Sequence, residues 1–186
     1  AAVFTYNLCV RTGAMDVIGS MITSISSDRR LLALLVAWCF GGFMEGMAGF
    51  GTAVAIPAGM LAGLGFEAVP AVLICLLANG VPTPYGSIGI PTVSVADLVG
   101  LDSLHLATVQ LVQLAPFFVV MPLFIVLVAG RVADGQGNVA SVGERLHGAA
   151  GIALLSGVSF AGAALVVAMF VGPELAVVVG SIVSLA

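Results

Sequence analysis

Lysine is absent from the chain, and its five arginines are outnumbered by nine acidic residues, giving a net charge of -4. With no polybasic patch, the chain has nothing to offer nucleic acid or anionic lipid headgroups, and nucleic acid is excluded as a partner. Charge of either sign is scarce: 8% of the 186 residues are charged, where soluble domains carry about a quarter. A soluble all-helical core needs a solvated face on each helix, and several stretches here hold no charge from which to build one.

Chemistry-bearing constellations are missing as well. Cys9, Cys39 and Cys75 lie singly in apolar segments, without metal-ligand or redox spacing, and read as small buried hydrophobes. There is no HExxH, no paired acidic metal motif and no Ser or Cys nucleophile beside a His. No catalytic residue, metal or cofactor is therefore expected, and the enzyme class falls away.

What the chain has is apolar length. Hydrophobic residues make up 61% of it, with a mean hydropathy of +1.24, which indicates a membrane protein. A crossing helix needs about 20 residues. Residues 1–10 are too short to cross and read as the tail of an earlier span closed by Arg11. Residues 16–27 have the spacing of an interfacial helix, ended by Asp28, Arg29 and Arg30. Residues 31–44, 52–64 and 69–78 are shorter apolar pieces, whereas 104–129 and 146–171 are long enough for full spans, joined by the polar loop 131–145. If arginine marks the cytoplasmic side, Arg11, Arg29, Arg30, Arg131 and Arg145 share it, with an even number of crossings between the two groups. The first residue is not Met and the last ten are still apolar, so the chain reads as a fragment without a signal peptide.

The short pieces are separated by helix-breaking sequence. Gly46, Gly49 and Gly51 crowd the first junction and predict a break at 49–51. "NGVPTPYGSIGIP", residues 79–91, predicts a second, because Pro82, Pro84 and Pro91 oppose a regular helix. "GFGTAVAIP" and "PYGSIGIP" form a faint internal echo across the two. Irregular backbone at membrane depth is tolerated only against protein or a water-filled cavity, so two breaks imply a polar interior site. Half-helix N-termini there would offer dipoles and free N–H groups to a carboxylate. The candidate binding residues are Gly49, Phe50, Gly51 and Thr52 at the first break and Asn79, Thr83, Tyr85, Gly86 and Ser87 at the second. Their hydroxyls and amide suit a small oxygen-rich solute.

Every arginine lies outside the proposed spans, so a bound anion would cross with a co-transported cation. Glu45, about one turn before the first break, is the expected carrier of a proton; its alternative is a neutral acid hydrogen-bonded to freed backbone. Other features read structurally. Gly42 with Gly46, and Gly59 with Gly63, fit close helix packing. Asn79 divides evenly between helix capping and ligand contact. Asp97 and Asp102 suit N-caps, Glu174 complements a helix dipole after Pro173, and His105 and His147 read as interfacial.

"GFMEGMAGFGTAVAIPAGMLAGLGF", "LICLLANGVPTPYGSIGIP" and "GPEL" together resemble the bacterial and archaeal lactate permeases, along most of the chain. The Glu-Gly-x-Ala-Gly-Phe-Gly core followed by Leu-Gly-Phe, Ala-Asn and Ile-Gly-Ile-Pro is the specific part. The resemblance implies an all-α polytopic transmembrane bundle with discontinuous helices, residues 1–186 forming one membrane domain in the N-terminal half of a longer permease. It implies uptake of L-lactate, D-lactate or glycolate with protons by a multi-pass protein of the cytoplasmic membrane, whose partners are the monocarboxylate, protons and the bilayer. The chain departs from the family at Ala53, where Pro is usual, and in "NGVPTPYG", where Asn-Thr-Ala-Pro-Val-Ala-Phe-Gly is usual; these changes bear on substrate preference. A sodium-coupled organic-anion transporter and a non-transporting membrane subunit are the competing readings.

Overall fold

The computed structural model describes residues 11–13, 17, 20, 26–49, 51–133 and 141–186. The expected span tail at 1–10, most of the expected interfacial helix at 16–27 and the middle of the 131–145 loop lie outside the described residues, as does Phe50.

Among the described residues there are helices and no strands. Helix α1 runs Arg29–Met47, α-helical at both ends and π-helical over Leu34–Phe40. It is followed by α2 (Thr52–Gly63), α3 (Ala68–Gly80), a 3-10 turn (Thr83–Tyr85) and α4 (Gly86–Val99). Then come α5 (Ser103–Ala133), the short α6 (Val142–Leu146), α7 (Ala150–Phe170) and α8 (Pro173–Leu185). Helices α1, α5 and α7 are each long and apolar enough to cross a membrane, and α3 with Thr83–Val99 forms a fourth apolar unit bent by 70°. Outward-facing apolar side chains such as Leu98, Val69, Leu155 and Phe170 are more than 70% exposed, the surface expected of a protein solvated by lipid.

Helix α1 is the most enclosed span: 61% of its apolar window is buried, against 28% for α5 and 39% for α7. Trp38 packs edge-to-face against Phe118 of α5 and at a tilt against Phe160 of α7, with ring centroids 5.9 and 5.0 Å away. Small residues let the backbones close around this aromatic core. A Cβ at Gly157 would lie 2.7 Å from Val119 O, so α5 and α7 touch there backbone to backbone. Gly42 and Gly46 lie close against the side chains of Phe160 and Val178, as their spacing predicted, whereas a Cβ at Gly63 would face open space.

The arginines tie one end of the bundle together. Arg29 donates to Gly65 O at 2.7 Å and lies over the Phe66 ring, so the chain returns along α2 to the end it left along α1. Arg30 donates to Asp28, and also to the carbonyls of Arg145 at 2.7 Å and His147 at 3.2 Å. Arg29, Arg30 and Arg145 thus share one end, and α1 through α5 leave it and come back.

Two boundaries differ from expectation. The span predicted over 146–171 begins at Ala150, because Ser141 and Glu144 form a capping box that starts the separate α6 and Gly148 turns left-handed after it. The polar segment 131–145 is correspondingly helical at both described ends, 131–133 within α5 and 142–145 within α6. Asp102 accepts from His105 N at 2.8 Å, a cap as predicted. Asp97 instead sits inside α4, whose last turn continues to Val99 before Gly100 ends it.

Candidate functional site

The first break follows from glycine. After Met47 the chain leaves the helix, Gly49 and Gly51 take φ of +53° and +87°, and Gly51 O then accepts from Val54 N and Ala55 N to start α2. Residues with a Cβ avoid that region. The second break follows from proline and then from strain. Pro82 and Pro84 limit the chain to one 3-10 turn. Ser87, Ile88 and Gly89 are then all left-handed, with φ of 50°, 60° and 70°. Pro91, predicted to oppose a helix, lies in the first regular turn after this kink, where the non-helical Ser87 leaves its ring nothing to clash with.

The two breaks meet. Ser87 Oγ donates to Ala48 O at 2.8 Å, and a Cβ on Gly49 would collide with Ser87 Oγ. Beside this contact lies a cavity of about 190 Å³ lined by Glu45, Gly51, Asn79, Thr83, Gly86, Ser87 and Pro91. Glu45 enters it from α1, 3% exposed, with Oε2 lacking a hydrogen-bond partner. Its other oxygen lies over Gly86, where any Cβ would collide with it. Asn79, in the last turn of α3, places its side-chain amide beside the Glu45 carboxyl, and its buried Oδ1 also has no partner. Asn79 therefore borders the cavity and does not cap its helix; Thr83 Oγ1 donates to the Asn79 carbonyl at 2.6 Å.

Of the predicted binding residues, the structure brings Gly51, Asn79, Thr83, Gly86 and Ser87 to the cavity with Glu45. Gly49 lies behind it, packed on Ser87, and Thr52 begins α2 without lining it. Tyr85 is turned away: fully buried, it donates its hydroxyl to Ala107 O of α5 at 2.6 Å and anchors the 3-10 turn. Phe50 is the one predicted site residue outside the described residues.

Sequence reading missed several contributors. Pro91 lines the cavity. Gly89 is pressed against the start of α8, where a Cβ would lie 2.8 Å from the Pro173 carbonyl carbon, so "GPEL" buttresses the second break. Thr92 Oγ1 lies 2.8 Å from both Pro84 O and Gln110 Oε1. An amide such as Gln110 within a long apolar helix was the available signal. Away from the cavity, Ser156 and Ser184 join α7 to α8 at 2.6 Å, with Cys39 Sγ 3.6 Å from Ser184 Oγ. Among the described residues no group of His, Cys, Asp and Glu has the arrangement of a metal site.

Comparison with known proteins agrees with this architecture. The chain matches the family described as L-lactate permease across residues 1–186. It is 43% identical over 183 residues to an L-lactate permease of Streptococcus iniae, covering 98% of this chain and 36% of that protein. It is 39% identical over 185 residues to an L-lactate permease of Escherichia coli (strain K12), covering all of this chain and 32% of the relative. It is 36% identical over 185 residues to a glycolate permease of the same strain, covering all of this chain and 31% of the relative. The chain thus spans about a third of the length of the curated relatives it matches. No solved structure matches it. With the whole of its length matched and broken helices meeting at a buried acid, the chain belongs to the L-lactate permease family.

Proposed function

We propose that the full-length protein is a secondary transporter, not an enzyme, that takes up lactate, or glycolate and similar 2-hydroxy monocarboxylates, with protons across the cytoplasmic membrane. The names of the relatives support the substrate class. The observation that carries the reading is the Glu45 carboxyl, buried with an unpartnered oxygen at the edge of a cavity where two helix breaks meet. Breaks of this kind are how membrane transporters hold solutes at mid-depth. A cavity of about 190 Å³ has room for a small solute.

In this mechanism Glu45 carries the proton that compensates the substrate's charge, since no arginine lies among the cavity's lining residues. The start of α2 at Gly51 and the start of the regular part of α4 after Gly89, where Pro91 lines the cavity, bring the positive ends of two helix dipoles to the carboxylate. The test is uptake of labelled lactate into vesicles containing the full-length protein, with and without an inward proton gradient, comparing wild type with Glu45→Gln. Gradient-driven uptake in wild type that is lost in Glu45→Gln is the expected result. Uptake that follows a sodium gradient and ignores pH would replace the proton by sodium. An unaffected Glu45→Gln variant would return Glu45 to a packing role.

A further inference from the structure

The polar side chains around the cavity share an unusual property: they present acceptors. Thr83 Oγ1 and Ser87 Oγ each lie against a backbone carbonyl, Asn79 O at 2.6 Å and Ala48 O at 2.8 Å. A carbonyl cannot donate, so each hydroxyl gives up its single proton there and offers the cavity only lone pairs. Just behind the cavity surface, Glu45 Oε2 and Asn79 Oδ1 are further acceptors, both buried and without partners. The N–H side of the Asn79 amide lies beside the Glu45 carboxyl. An entering carboxylate therefore meets a mostly apolar wall whose few polar side-chain groups turn lone pairs, not protons, toward it. With Glu45 ionised, it would also meet a second negative charge about 5 Å away, which at an effective dielectric near 20 disfavours binding by about 300-fold. The half-charges at the start of α2 and at the start of the regular part of α4 after Gly89 do not neutralise two carboxylates.

One side chain on this wall can change from acceptor to donor by taking a proton. Building on the proton-coupled reading above, we infer that protonated Glu45 donates its O–H directly to the substrate carboxylate, so that the proton binds before the substrate and is held until the substrate leaves. The proton arrives on Oε2 from the outer solution, remains on Glu45 while it bridges to the substrate, and is released after the substrate; the substrate stays a carboxylate throughout.

Among the described residues no other titratable group in the surroundings takes this part. Glu174 of α8 folds back over Gly172. Asp97 of α4 is exposed. Tyr85 of the 3-10 turn donates to Ala107 O. Cys39 of α1 faces Ser156 and Ser184, and Cys75 of α3 lies in the apolar core. Helix α2 carries no titratable residue, and the arginines of α1 lie at its far end.

The experiment is lactate exchange in vesicles holding the full-length protein, labelled lactate inside against unlabelled outside with no proton gradient, for wild type, Glu45→Gln and Glu45→Leu. A Gln amide supplies a permanent donor of nearly the same shape, and Leu supplies none. Glu45→Gln is expected to exchange within about threefold of the best wild-type rate, at all pH values, while losing gradient-driven net uptake. Glu45→Leu is expected to lose exchange by about tenfold or more, the loss of one charge-assisted hydrogen bond. In wild type the KM for lactate should fall as pH is lowered while the maximal rate stays level. The inference is overturned if folded Glu45→Gln exchanges as poorly as Glu45→Leu, or if wild-type KM is independent of pH. The wild-type KM profile decides alone should the variants fail to fold. Absence of gradient-driven uptake in wild type is a separate result and overturns proton coupling itself.

Discussion

Among the described residues of the first helix break, the left-handed conformations are held by glycines, Gly49 and Gly51. At the second, Ser87 and the β-branched Ile88 are left-handed alongside Gly89, a conformation that costs a side-chain-bearing residue about 1–2 kcal/mol. Such strain persists only where the surroundings over-determine it, and here they do. Glu45 covers Gly86, Ser87 bonds to Ala48 O and the start of α8 presses on Gly89. The first break is therefore conformationally cheap and defined by its own sequence, whereas the second is imposed by its neighbours and registers any change in them. The residue most directly against it is the acid we assign to the proton.

Adding a methyl group separates the two kinds of constraint. Gly49→Ala meets both a left-handed φ and Ser87 Oγ, and should destabilise by about 2–5 kcal/mol, the sum of conformational and overpacking costs. Gly86→Ala, with an ordinary φ of -63°, should cost about 1–3 kcal/mol by overpacking. Because the methyl lands on the Glu45 carboxyl, it should lower uptake more than its stability cost suggests. Gly51→Ala, at φ +87° but with nothing within 4 Å of the new Cβ, should cost only about 1–2 kcal/mol. Thermal unfolding in detergent beside vesicle uptake measures all three. Equal effects at positions 49 and 51 would show that contact between the breaks does not matter.

Cutting the bond between the breaks should have a smaller effect. Ser87→Ala removes the hydroxyl that donates to Ala48 O and should cost about 1–2 kcal/mol, leaving an under-satisfied carbonyl near the cavity. Ile88→Gly gives the second break the chemistry of the first. Ile88 is 48% exposed, so relief of strain should exceed the lost packing and the added chain entropy, raising stability by up to about 1 kcal/mol. A clear loss of stability would mean that the Ile88 side chain packs better than its exposure suggests.

The same contrast explains what the sequence made legible. The first break could be read because its determinants are local: a cluster of glycines after an apolar run, with Glu45 one turn before it. The prolines marked the second break, but Pro91 was misassigned because its effect depends on whether the residue four places earlier is helical, which the tertiary contacts of Ser87 decide. Tyr85 entered the predicted site by sequence adjacency, yet the 3-10 turn points its hydroxyl at Ala107 on another helix. Gly89 against Pro173 and Thr92 beside Gln110 are long-range pairings that local sequence does not encode. Glycine spacing alone likewise failed to separate Gly42 and Gly46, which have partners, from Gly63, where a Cβ would face open space.

A contact outside the membrane supplies the control for these predictions and the smallest effect. Asp28 caps the start of α1 and bonds Arg30 at 2.7 Å, and that side-chain hydrogen bond holds its carboxyl below the usual range. A depressed carboxylate contributes stability that is fully present above its unfolded value, about pH 3.9, and is lost as pH falls through the lower folded value. Asp28→Asn keeps a capping side chain but removes the charge, and since the pair is partly solvated the cost at pH 7 should stay below about 1 kcal/mol. The difference in melting temperature between wild type and Asp28→Asn should hold steady from pH 7 to 5 and shrink below about pH 4. Uptake at neutral pH should match wild type. A transport defect would mean that the arginine-bound end and the two breaks move as one unit, so that strain at Ile88 is coupled to contacts a full helix length away.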